Sequence, residues 1–139
     1  MEDMEKFIVV EAPIAQAYEQ WARVEEWPLF LKAIREVHRF DEKRFRLKSE
    51  RNGTVYVSTA EISLLIPQRR IAWRTISGAE NSGVVSLEEE SGGKTRVTLK
   101  VRYKSDAGWQ HPVALGERLD YHLACFKEFI EGKQVCHGA

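Results

Sequence analysis

From Glu36 to Lys104 the chain runs through six strand-like segments joined by turn chemistry, and one long apolar helical stripe ending at Ile130 follows them. Segments joined by hairpin turns pair antiparallel. A sheet with one apolar face has to be covered, and no other helix is long enough to cover it. A single helix laid across a curved antiparallel sheet encloses a cavity, and cavities of that kind take small apolar molecules.

The segments read as Glu36 to Phe40, Arg44 to Glu50, Thr54 to Ile66, Arg70 to Ser77, Gly83 to Glu89 and Thr95 to Lys104. Their connections are Asp41-Glu42, Asn52-Gly53, Pro67-Gln68, Gly78 to Gly83 and Ser91-Gly92-Gly93. The last segment alternates most strictly. Thr95, Val97, Leu99, Val101 and Tyr103 share one face, with Arg96, Thr98, Lys100, Arg102 and Lys104 on the other. In the closing helix Leu115, Leu119, His122, Leu123, Phe126, Phe129 and Ile130 make the apolar stripe.

Before the sheet, Phe7 to Glu11 reads as a first strand. Pro13 then opens a helix, where its missing N–H costs nothing, and Ile14, Ala17, Tyr18, Trp21 and Val24 form its buried stripe. Pro28 is read as starting a second short helix with Leu29, Phe30, Ala33 and Ile34 as its apolar set. No linker, repeat or low-complexity segment divides the chain, so residues 1–139 read as a single domain. A chain of this length buries roughly 68–70% of its unfolded surface around one core.

Lys plus Arg number 21 and Asp plus Glu number 21. With no net charge there is no field to attract nucleic acid or an anionic membrane, and neither is expected as a partner. The apolar run Phe7 to Val10 is too short for a signal peptide or a membrane span, so a cytoplasmic protein without stable membrane insertion is expected. Cys125 and Cys136 on one helix would stand about 16 Å apart, too far for a disulfide. That fits a reducing compartment.

Taken together, Glu11-Ala12-Pro13, Glu26-Trp27-Pro28-Leu29-Phe30, Ala60-Glu61-Ile62, Arg70-Ile71-Ala72-Trp73-Arg74, Gly83-Val84-Val85, Lys94-Thr95-Arg96-Val97 and Phe126-Lys127-Glu128-Phe129-Ile130-Glu131 resemble the START-like or Bet v 1-like (SRPBCC) superfamily. Within it, they look like the polyketide cyclase/dehydrase branch. The resemblance spans nearly the whole chain. It implies an α+β helix-grip fold: a curved seven-stranded antiparallel sheet, two short helices after strand 1, and a long C-terminal helix enclosing a hydrophobic cavity. Members include aromatase/cyclases, lipid and quinone carriers and hormone receptors, so fold alone does not fix the activity.

The resemblance also implies an arginine on the long strand in the aromatase/cyclases, and Ala60 stands at the corresponding position here. The inward face of that strand, if it alternates without a bulge, carries Tyr56, Ser58, Ala60, Ile62 and Leu64, with Glu61 outward. Tyr56, Tyr103 and His122 are the candidates for proton handling or orientation, His122 because an imidazole can act as acid or base near neutral pH. Trp27, Phe30, Tyr56, Ser58, Trp73, Tyr103, His122 and Phe126 are the candidates for lining a ligand site. The aromatic ones among them serve equally well as plain core packing.

Arg69, Arg70 and Arg74 read as solvated, as do Lys43 to Lys48 and Glu88 to Glu90. His122 and Cys125 share a helix face as a nucleophile and base would, but no third orienting group is in sight. His122, Cys125, Cys136 and His137 do not converge as a metal site needs, and no metal is expected. No Gly-rich phosphate loop, His-Glu-x-x-His helix, Gly-x-Ser-x-Gly elbow or Cys-x-x-Cys pair is present. The leading expectation is a cofactor-independent protein, monomer or homodimer, that binds a hydrophobic aromatic, polyketide-like or lipid-like molecule. A cofactor-independent cyclase/dehydratase is the second. The third is a lipid or quinone carrier, or a partner-binding module, with Trp27 and Phe30 at the cavity mouth.

Overall fold

Six strands stand side by side in sequence order, and the first strand of the chain pairs with the last of them. The computed structural model describes residues 2–51, 53–78, 82–103 and 112–132. Strand β1 (Glu2–Val10) leads to helix α1 (Ile14–Ala22) and a short 3-10 helix (Val24–Leu29). Strands β2 (Ile34–Arg39), β3 (Arg44–Arg51), β4 (Thr54–Ile66), β5 (Arg70–Gly78), β6 (Gly83–Glu90) and β7 (Lys94–Tyr103) follow, then helix α2 (Pro112–Ile130). The strands form one seven-stranded antiparallel sheet in the order β1-β7-β6-β5-β4-β3-β2. With α2 packed on it, this is the expected helix-grip architecture. No described helix is long and apolar enough to cross a membrane.

Alternation decides which face turns inward. Thr95, Val97 and Leu99 on β7, Phe45, Leu47 and Ser49 on β3, and Ser58, Ala60 and Ile62 on β4 are buried, and their sequence neighbours are not. On α2, Leu115, Leu119, His122, Leu123, Phe126 and Ile130 are buried against that face, with Phe129 packed partly against it. Glu61 points outward and meets Arg74, whose Nη2 lies 3.1 Å from its carboxylate.

Three local expectations are corrected. Strand β1 starts at Glu2 rather than Phe7, because its acidic stretch lies opposite the basic outer face of β7: Asp3 faces Lys100 and Arg102 at 3.9 and 3.7 Å. Pro28 does not begin a second helix but sits inside the 3-10 helix, near its end. Its missing N–H removes one bond of the last turn, the Trp27 carbonyl accepts from Phe30 and Leu31, and the chain turns at once into β2. Leu29 is consequently exposed, and Ile34 belongs to a strand. The third is Leu64: β4 shifts register against β5 between Ile62 and Leu64, and Leu64 leaves the buried face.

The two ends of the fold are tied together. The Glu131 carboxylate accepts from the Glu11 backbone N–H at 2.7 Å and from Lys127 Nζ at 2.6 Å, and Lys127 also donates to the Val9 carbonyl at 3.2 Å. This polar latch fixes the last turn of α2 over the end of β1.

Candidate functional site

Helix α2 presents Leu115, Arg118, Leu119 and His122 to the sheet, at spacings of three and four that place them on one face. Between that face and the strands lies a cavity of about 100 Å³. Trp73 of β5, Leu99, Val101 and Arg102 of β7, Ser49 of β3 and Ser82 form its sheet side. Trp21 of α1, Trp27 of the 3-10 helix, Leu31 and Ala33 of the link that follows it, and Ile34 at the start of β2 close it from the other side.

Its aromatic wall is a continuous stack. The ring centroid of Trp27 lies 4.8 Å from Trp73, 5.5 Å from Phe45 and 6.3 Å from Trp21, in tilted and edge-on arrangements that aromatic quadrupoles favour. Trp27 Nε1 donates to the Trp21 carbonyl at 2.9 Å, occupying an acceptor that the end of α1 would otherwise leave open. Trp73 lies over Gly83, its cross-strand partner: a Cβ at Gly83 would stand 2.7 Å from Trp73 Cζ2 and 3.0 Å from the Lys100 carbonyl. Gly83→Ala is expected to push the indole toward the cavity and to cost about 1–3 kcal/mol by overpacking. Urea unfolding and tryptophan emission of the variant check this together.

His122 is buried, and its imidazole makes no hydrogen bond to a described residue. Desolvation, reinforced by the positive charge of Arg118, lowers its pKa from 6.5 to about 4. It is therefore neutral at pH 7 and a weak base there. Burial also lowers the pKa of Arg118, which has no carboxylate partner among the described residues. Ser82 Oγ accepts from the Thr75 N–H at 2.9 Å, but Ser49 has no hydrogen-bond partner among the described residues.

Of the residues singled out from sequence, the cavity brings together Trp27, Trp73 and His122. Phe30 and Phe126 are not on its wall. They pack on each other at 5.0 Å and on Trp21 at 5.0 and 5.1 Å, fully buried within the core. Ser58 is buried but away from the cavity, and Tyr56 is half-buried farther toward the start of β4. The side chain of Tyr103 lies outside the described residues, as do Cys136 and His137. Ala60 is buried opposite Phe45, so the arginine implied for that strand has no counterpart there. Trp27 and Phe30 are interior, so they do not form an exposed mouth for a membrane or partner, which corrects that expectation. Cys125 is a buried free thiol, and no cluster of three or more His, Cys, Asp or Glu side chains stands together among the described residues.

Trp21 reads from sequence only as part of a buried helix stripe, and Ser49 and Arg118 are not among the candidates. Each left a trace. Ser49 continues the Phe45, Leu47 alternation, and Arg118 falls three residues after Leu115 and four before His122, on the stripe itself.

The sequence profile of the polyketide cyclase/dehydrase and lipid transport family matches residues 10–124. The chain belongs to that family. This family member is 30% identical to an uncharacterized 17.2 kDa protein of Streptomyces lincolnensis, across 94% of this chain and 91% of the relative. Its fold superposes on a solved Deinococcus radiodurans structure with a TM-score of 0.77 at 28% identity, covering 94% of this chain and 99% of that one. The Zhui aromatase/cyclase from Streptomyces sp. R1128 gives a TM-score of 0.71 at 21% identity, covering 94% and 93%. At that identity the likeness is one of fold.

Proposed function

We propose that this chain, acting as one domain, binds a small aromatic molecule in the cavity beneath α2, and that binding rather than bond-making is its activity. The observation that carries the reading is the wall itself: Trp21, Trp27 and Trp73 around a void of about 100 Å³. Flat faces at this spacing suit a flat occupant. Size narrows the class. An apolar cavity of roughly 150 Å³ holds benzene, whereas drug-sized ligands occupy about 300–1,000 Å³. A single-ring compound needs only a small outward shift of the walls; a folded polyketide or an acyl chain needs them to part widely.

The cyclase/dehydratase reading has less support. A general base works best with a pKa near the working pH, and His122 lies well below it. Tyr56 does not reach the cavity wall. An aromatase/cyclase among the structural neighbours keeps the reading in view, but Ala60 stands where the family resemblance implies an arginine.

Three of the four tryptophans line the site, so its occupation is visible in their emission. Titration with single-ring aromatics is expected to give saturable quenching and a one-to-one adduct in native mass spectra, with long-chain fatty acids giving neither. Saturable binding of the fatty acids with none of the aromatics would replace this reading with the lipid-carrier one.

A further inference from the structure

The polar groups on the cavity wall are unbalanced. Arg118 lines the cavity without a carboxylate among the described residues, although ion pairs are frequent elsewhere on the chain. Trp21 and Trp73 each bury an indole N–H that has no acceptor among the described residues. Ser49, 6% exposed, and His122, 8% exposed, face the same space with no hydrogen-bond partner among the described residues. A guanidinium and an indole only donate; a hydroxyl and a neutral imidazole can donate. No acidic residue lines the cavity among the described residues. Buried donors left unmatched are costly, and a half-buried cation without a counter-ion adds to that cost. The missing partner is an acceptor, and opposite a guanidinium the best acceptor is a planar oxyanion, which it binds through two parallel N–H···O bonds.

We infer that the cavity takes an aromatic carboxylate, its ring against the tryptophan wall and its carboxylate on Arg118, with Ser49 and His122 as further donors. The inference rests on the binding reading above and names the chemistry of the ligand. A volume of about 100 Å³, below the roughly 150 Å³ that holds benzene, excludes a polycyclic acid, and one ring with its head group enters only with a small outward shift of the wall.

Benzoate and benzamide test it, being close in shape and differing in charge. Calorimetric titration at pH 7 is made on the wild-type chain, Arg118→Gln and Arg118→Lys. The expected result is that benzoate binds the wild type more tightly than benzamide, that Arg118→Gln weakens benzoate about tenfold or more, and that Arg118→Lys retains part of the affinity. A wild-type circular dichroism spectrum for Arg118→Gln shows that the variant is folded. Equal affinities of the two probes for the wild type, or benzoate affinity unmoved in Arg118→Gln, overturn the carboxylate assignment while the cavity remains a binding site. Failure of both probes to bind the wild type overturns the binding reading and this inference with it.

Discussion

Trp27→Ala is expected to lower stability by about 3–5 kcal/mol, the usual cost of truncating a large buried aromatic side chain. Trp27 is 1% exposed and touches three other rings, so its removal leaves a void that Trp21, Phe45 and Trp73 cannot fill without leaving their positions. The change also strips the Trp21 carbonyl of its indole donor. Trp27→Phe separates the two effects: it keeps most of the packing and loses the hydrogen bond, at about 1–2 kcal/mol. Urea unfolding followed by circular dichroism measures both. A loss under about 1 kcal/mol in Trp27→Ala would mean that the wall collapses freely and that the stack does not hold the cavity open.

The second large effect is on acid stability. The pKa of His122 is about 4 in the folded chain against 6.5 when exposed, so between those values the unfolded chain binds more protons than the folded one. The stabilisation is complete above about pH 6.5, falls as the pH drops, and is gone near pH 4. The interval corresponds to about 3 kcal/mol. His122→Leu, which cannot titrate, should lose that much less stability across the same range than the wild type. Arg118→Gln should soften the wild-type slope, since Arg118 is the second cause of the depression. Unfolding free energies at pH 7, 6, 5 and 4 check the sign; parallel curves for wild type and His122→Leu would show that His122 charges without penalty.

Most of the sheet was legible because alternation and turn residues act locally. The run Thr95 to Tyr103 declares its buried face from sequence alone, and the strand Thr54 to Ile66 is found at its expected limits. What escaped depended on partners distant in sequence. Glu2 to Lys6 looks like a charged lead-in until β7 supplies Lys100 and Arg102 opposite it. Pro28 looks like a helix start unless the hydrogen bonds of the preceding residues are known. In the site, Phe30 and Trp27 are indistinguishable by pattern, since both are inward aromatics. Periodicity assigns a face, and only the packing of several elements decides whether a side chain borders a void or fills one. Arg118 was readable in principle as a charge on an apolar stripe, but a half-buried cation looks the same in sequence as one whose stem merely crosses the core edge.

The latch between Glu131, Lys127, Val9 and Glu11 sets the order in which this molecule can be made. The Glu11–Glu131 bond spans 120 positions, and β1 pairs only with β7. On a growing chain the first strand therefore waits, unpaired, while the five hairpins form behind it, because long-range pairing has to overcome loop-closure entropy. Helix α2 is the last of the described elements to be synthesised, and it supplies Arg118 and His122. The cavity does not exist on the nascent chain until then, so a ligand meets only a chain whose α2 has already been made.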